Sequence, residues 1–271
     1  MENMRVSIKD DFDLNIIINS GQCFRPRFLD NGGYRFITGN SMVDIFATDV
    51  ENEYEVSCNK AEWENVWKEY FDLSTNYASI RKSIPSEDAY MLRAGEIGAG
   101  IRILKQDKFE MLISFIISQR KSIPAIRTAV EKLCERYGSK SGEAYLFPTP
   151  EQLIVATEEE LKDSGLGYRV SYVRDAVEKV ISGDFDLEKM SLLSDEELFS
   201  KLKEIRGVGD KVANCVMLFA YHRVGRAPVD TWIAKVIAEK YDGVNPFFRY
   251  GDVAGIMQQY VFFAAQHEKY V

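Results

Sequence analysis

Near Lys60 the hydrophobic pattern of this chain changes period. From Arg5 to Cys58 the apolar residues fall in short alternating runs, among them YRFITG (34–39) and MVDIFAT (42–48), separated by turn signals at Asn31-Gly32-Gly33 and Gly39-Asn40. Alternation bounded by such turns suits half-buried strands joined in hairpins. Beyond Lys60 the spacing is helical: AEWENVWKEYF (61–71) repeats its apolar residues at helix intervals and places acidic residues toward its start. The fold class is therefore α+β and mostly α. An N-terminal antiparallel β-sheet domain with flanking helices is expected over 1–95, and a helical domain over 96–271.

Within the helical part, FEMLISFIIS (109–118) is apolar on nearly every side, the mark of a helix buried in a core. IPAIRTAVEKLCERYG (123–138) reads as an amphipathic helix closed by Gly138, and FPTP (147–150) as a turn. Ser194 followed by Asp195, Glu196 and Glu197 has the form of an N-cap with an acidic first turn, opening a helix to about Ile205. No internal repeat or low-complexity tract interrupts the pattern.

Composition narrows the function classes. Of 271 residues 46% are hydrophobic, enough apolar surface to offset chain entropy, so disorder is excluded. No apolar run approaches a membrane span, and the charged opening MENMRVSIKDDFD has no apolar export core. A cytoplasmic monomer is expected, nucleoid-associated in a prokaryote, with no membrane partner. Cys23, Cys58, Cys134 and Cys215 are too far apart for a zinc clasp or an iron–sulfur loop, and a disulfide framework does not suit a cytosolic chain. With His222 and His267 the only histidines, Lys, Asp and Glu are left to do any chemistry, and no metal or cofactor is expected. The net charge of −8 argues against general coating of nucleic acid, yet residues 101–140 carry nine basic and four acidic side chains and residues 201–240 eight and four. Two basic segments on an acidic body could form a localised phosphate-binding face, or could be ordinary solvated helix faces.

The stretch LKEIRGVGDKVANCVMLFAYHR (202–223) says most about function. Two helices are joined by Arg206-Gly207-Val208-Gly209, and the second presents unpaired N–H groups. Such a turn can seat a phosphate without a basic side chain at each contact, although glycine could serve the turn alone. Lys211 lies in the first turn of a helix that continues VANCVMLFA, apolar apart from Asn214. Burial and the positive helix end both favour a neutral amine there, a nucleophile able to form a Schiff base. Against this, a lysine at a helix end commonly snorkels into solvent. Cys215 falls on the same face. Asp230, in Ala227-Pro228-Val229-Asp230-Thr231, stands 19 residues after Lys211. It suits an ordinary N-cap, and a carboxylate so held stays ionised and could stabilise positive charge on a sugar ring.

The Gly-x-Gly hairpin (within 194–222), the lysine two residues later and the Pro-Val-Asp loop (228–230) together resemble the helix–hairpin–helix DNA glycosylase superfamily. Asn19-Ser20-Gly21-Gln22-Cys23-Phe24-Arg25 is similar to the SGQxFR segment of its 8-oxoguanine DNA glycosylase branch, and Ser164-Gly165-Leu166-Gly167-Tyr168-Arg169 to the LGYR segment of that branch. Gln258 with Phe262 fits its C-terminal base-pocket helix. The resemblance runs from about Ile18 to Phe262 and implies a helix–hairpin–helix glycosylase domain acting, without cofactor, on double-stranded DNA containing oxidised guanine.

On those matches the family implies specific roles. Lys211 attacks C1′ of the damaged nucleotide, Asp230 stabilises the oxocarbenium-like transition state, and the Schiff base permits β-elimination. Cys215 and Phe262 sandwich the extruded base in a pocket shared with Gln22 and Phe219, Gln258 bonds its Watson–Crick edge, and the Gly21 carbonyl accepts from N7–H. Guanine has a lone pair at that nitrogen, so it would leave the acceptor unpaired. Tyr168 wedges into the duplex and Arg169 reads the orphaned partner, while Gln119, Arg120, Lys121, Gly207, Val208, Gly209 and Trp232 meet DNA.

Three positions depart from the human-type pattern. Arg120 replaces an asparagine that fills the vacated gap, Ala125 replaces a second reader of the opposite cytosine, and Trp232 replaces a phosphate-contacting histidine. Weak discrimination among partner bases is the expectation. Two other readings share parts of the pattern: a monofunctional glycosylase for alkylated bases, which typically lacks the lysine, and a non-catalytic helix–hairpin–helix DNA clamp.

Overall fold

A computed structural model of the chain describes residues 3–267. The chain forms two compact units, one assembled from the residues up to Phe36, Met42–Lys105 and the stretch from His222 onward, the other from Ile37–Ser41 and Gln106–Tyr221. The expected division at 95/96 does not coincide with them. The C-terminal helix Ala254–His267 is apolar nearly all round and packs against helix Ala89–Ile97, so the last segment returns to the first unit. A helix without a polar face needs apolar neighbours on more than one side.

Apart from residues 37, 38 and 41, the first unit holds β1 (Met4–Ser7), β2 (Arg27–Phe28), β3 (Tyr34–Thr38), β4 (Ser41–Ala47) and β5 (Glu53–Val56), strands of an antiparallel sheet of order β1-β5-β4-β3-β2. Register pairs Ile45 of β4 with Val56 of β5, and the alternating residues Val43 and Ile45 turn inward. They join Phe36, Trp63, Trp67, Tyr70 and Phe71 in a core where the helical segment Lys60–Tyr70 covers the sheet. The middle of that segment is wound wider than an α-helix, with the Lys68 N–H bonded to the Trp63 carbonyl. The β-like reading of residues 5–58 misses one helix, Leu14–Asn19. LNIIIN suits a strand as well as a helix by composition, and the local cap decides it: Asp13 Oδ1 accepts the Ile16 N–H at 2.9 Å.

In the second unit, helix Lys108–Ser118 is buried at every position from Phe109 on, as its composition requires. Helix Ile123–Tyr137 ends at Gly138, but not through a left-handed glycine cap. Gly138 is extended (φ −76°), and a Cβ there would lie 2.0 Å from the Leu146 carbonyl oxygen, so the glycine permits a close backbone approach. FPTP does turn the chain and also starts helix Pro150–Leu153, whose cap is Thr149. Ser194 and Glu197 form a reciprocal capping box on helix Asp195–Leu202.

Much of the basic charge counted from sequence is not surface field. Arg102 is wholly buried, Lys108 pairs with Glu188 at 2.7 Å, Arg136 with Glu160 at 2.7 Å and Lys203 with Asp210 at 2.6 Å. All four cysteines are buried. Among the described residues no helix is long and apolar enough to cross a membrane, and no cluster of three His, Cys, Asp or Glu side chains is placed to hold a metal.

Candidate active site

In the second unit the hairpin turn is fixed from below. Arg206 donates its N–H to Asp175 Oδ2 at 2.8 Å, and the Val208 side chain is buried. Gly207 has φ +79°, and a Cβ on it would lie 2.3 Å from Cδ2 of Tyr172, so both backbone and packing demand glycine. Gly209 is different. Its φ is −97°, and a Cβ there would meet nothing within 4 Å. No requirement of the fold explains the second glycine, which opens helix Asp210–Phe219 without a side-chain cap. The uncapped N–H groups of that helix leave room for an anion to approach. Gly209→Ala is therefore expected to leave thermal stability within about 0.5 kcal/mol while weakening duplex binding about tenfold. Gly207→Ala is expected to lower stability by about 1–3 kcal/mol. Thermal melts and a binding titration at fixed salt check the pair.

Lys211 occupies the first turn of the hairpin helix and is half-buried rather than sunk in the core that the following residues form. Its Nζ lies 5.2 Å from the centroid of the Phe115 ring, which stacks on Phe219 at 5.4 Å with 14° between planes. Residues 211, 215 and 219 share one face of the helix, and Cys215 and Phe219 are buried. The amine is thus carried above an aromatic floor. Phe115 was not singled out from the sequence because FEMLISFIIS is uniformly apolar and gives no sign of which ring faces the amine.

The other DNA candidates of this unit meet at a second turn. Arg120 is exposed with a left-handed backbone (φ +52°), and Tyr168 is 53% exposed. Arg169 corrects the sequence reading. Its guanidinium is buried, donating from Nε and Nη2 to the Gln119 carbonyl and from Nη1 to the Leu166 carbonyl. It ties the Gln119–Lys121 turn to Tyr168, over whose ring it lies at 4.3 Å, instead of facing outward as a base reader. Burial, and then the neighbouring Arg169 charge, hold the Lys121 ammonium below its ordinary range. A phosphate beside it would relieve that repulsion.

The remaining candidates belong to the first unit. Gly21 lies just beyond helix Leu14–Asn19. The Gln22 side chain is fully buried: Nε2 donates to Ser20 Oγ at 2.8 Å and to the Arg102 carbonyl at 2.9 Å, and Oε1 accepts the Leu104 N–H at 2.8 Å. Gln22 is thus a strut beneath Gly21, and its amide is not presented to a base. Arg102 anchors that strut, donating to the carbonyls of Phe71, Asp11, Asp72 and Thr75 and pairing with Asp10 at 2.9 Å. Asp230 caps helix Thr231–Lys240, with Oδ1 accepting the Ile233 N–H at 2.9 Å. Trp232 in the first turn of that helix is exposed. Gln258 is buried in helix Ala254–His267, its Oε1 accepting from Gln259 Nε2 at 3.1 Å, and Phe262 one turn on is half-buried.

Comparison with known proteins places this arrangement. Residues 5–112 match the 8-oxoguanine DNA glycosylase N-terminal domain and residues 113–246 the HhH-GPD superfamily of base excision DNA repair proteins. The chain belongs to that superfamily. It superimposes on MBOgg1, solved with a low-affinity DNA ligand, at a TM-score of 0.92 and 33% identity over 98% of this chain and 96% of that one. It superimposes on the 8-oxoguanine glycosylase/lyase of Clostridium acetobutylicum, solved with double-stranded DNA carrying cytosine opposite 8-oxoguanine, at 0.90 and 34% over 98% of each. Within the superfamily the chain is a member of the 8-oxoguanine DNA glycosylase/lyase branch. The N-glycosylase/DNA lyase of Saccharomyces cerevisiae is 33% identical over 63% of this chain, which spans about half (49%) of the yeast protein.

Proposed function

We propose that this chain excises 8-oxoguanine from duplex DNA and nicks the strand at the resulting site, with Lys211 as the nucleophile. The observation that carries the reading is the Lys211 Nζ held 5.2 Å above the Phe115 ring in the first turn of the hairpin helix. The damaged nucleotide must leave the stack before its sugar can be reached, at a cost of about a few kcal/mol. Contacts of the hairpin N–H groups and of the 119–121 turn with backbone phosphates offset that cost. Nζ then forms a bond to C1′ as the C1′–N9 bond breaks, the base leaving with the electron pair. One amine proton passes to the departing base and the other to O4′ as the C1′–O4′ bond breaks, so that the sugar ring opens to a Schiff base. Loss of a C2′ proton expels the 3′ phosphate by β-elimination. The Asp230 carboxylate stabilises the positive charge on the sugar as it develops.

Strand scission of duplexes carrying 8-oxoguanine, guanine or 3-methyladenine tests this. Nicking confined to the 8-oxoguanine duplex is expected. Release of the alkylated base without a nick would favour the alkyl-base reading, and binding without any product the clamp reading.

Ala125 lacks the side chain with which the human-type enzymes hold cytosine, Arg120 stands where they have a gap-filling asparagine, and Arg169 is turned inward. Single-turnover rates opposite C, A, G and T are expected to agree within about tenfold, because no buried polar group is left unpaired by the wrong partner. A cytosine preference beyond about 100-fold would overturn this.

A further inference from the structure

Helix Val170–Ile181 begins directly after Tyr168 and Arg169 and carries two residues that the chemistry does not use, Tyr172 and Asp175. Asp175 grips the Arg206 N–H at the entrance of the hairpin turn and is itself held by Lys179 at 2.6 Å. One turn earlier, the Tyr172 ring fills the space beside Gly207, where a Cβ would stand 2.3 Å from its Cδ2, and the Arg206 guanidinium lies 6.0 Å from its centroid. The same ring meets Tyr168 edge-to-face, 5.9 Å between centroids at 78°. Tyr168 is covered in turn by Arg169, whose guanidinium bonds the Gln119 carbonyl.

From these contacts we propose that Tyr172 is a positioning residue that couples the phosphate-binding hairpin to the Tyr168 wedge. The proposal rests on the function proposed above, in which Tyr168 enters the duplex as the base leaves. A half-exposed tyrosine standing alone samples several rotamers, and ordering it during base extrusion slows that step. The Tyr172 ring already holds Tyr168 at an edge-to-face distance, and it is itself seated against the glycine of the turn that receives the backbone. One ring therefore braces both the turn that receives the backbone and the wedge. A purely structural Tyr172 would instead support the fold equally in every reaction of the enzyme.

A double-mutant cycle separates the two roles. 2-Aminopurine fluorescence beside the lesion follows base extrusion, gel assays follow excision, and β-elimination at a preformed abasic site in duplex follows a reaction with no base to unstack. Tyr168→Ala and Tyr172→Leu are each expected to slow extrusion about tenfold, the loss of one ordered aromatic contact. The double variant is expected to be no slower than either. Because Tyr172 also packs against the hairpin, abasic-site elimination in Tyr172→Leu should fall, but clearly less than extrusion, by no more than about threefold, and Tyr172→Phe, which keeps the ring, should restore extrusion. Losses that multiply in the double variant would overturn the coupling, as would wild-type extrusion in Tyr172→Leu or equal losses in both reactions with a lowered Tm. A wild-type protein that fails to excise 8-oxoguanine would sink the proposed function, while the fluorescence cycle would still decide the coupling.

Discussion

Lys211→Gln is expected to abolish strand nicking at 8-oxoguanine, with single-turnover cleavage lowered by on the order of 10⁴-fold or more. Glutamine is close to lysine in length and has no nucleophilic lone pair, so C1′ loses its attacking group and no Schiff base can form. The loss should be confined to chemistry. Lys211 lies in the first turn of its helix, half-buried, with its amine over the Phe115 ring. The hairpin below it is held by Asp175, Val208 and Tyr172, none of which the substitution touches. Stability within about 0.5 kcal/mol of wild type and unchanged duplex binding should accompany the inactive phenotype. A melt and a gel-shift titration on the same preparation would show it.

Asp230→Asn is expected to separate two roles that the wild-type side chain combines. As the cap of helix Thr231–Lys240, Asp230 accepts the Ile233 N–H, and asparagine serves that position about as well. The fold should therefore be indifferent to the change. Charge is another matter: an amide cannot stabilise a developing sugar cation as a carboxylate can, and turnover should fall about 10²–10³-fold. DNA affinity should hold or rise, because a negative group has been removed from a protein that must approach phosphates. Equal loss of stability and turnover would mean that Asp230 matters only as a cap.

The sequence displayed what depends on local periodicity. Alternation at Val43 and Ile45 marked the sheet, and the unbroken apolar run 109–118 marked the buried helix. The capping box at Ser194 was equally visible. The spacing of Gly207, Gly209, Lys211 and Asp230 carried the resemblance from which the chemistry is proposed, while each residue alone also suits a plain turn, a helix-end lysine or an ordinary cap. Hidden features depend on partners distant in the chain. Gln22 and Arg169 stand at motif positions, but a motif gives a residue's place and not the direction of its side chain. Both turn inward to backbone groups, Gln22 to residues 102 and 104 and Arg169 to residue 119. Segment charge does not locate a binding face for the same reason: Arg102 is paired with Asp10 inside the fold, and Lys108 finds Glu188 80 residues away. The return of the C-terminal helix to the first unit is likewise a matter of burying a largely apolar surface, which no local signal announces.

Borohydride reduction during reaction with an 8-oxoguanine duplex tests most directly whether the Lys211 amine forms a covalent bond to the sugar. The wild-type protein should give a stable protein–DNA adduct, with the cross-linked peptide carrying residue 211, and Lys211→Gln should give none. Base release by the wild type without any trapped adduct, or an adduct that persists in Lys211→Gln, would contradict the account.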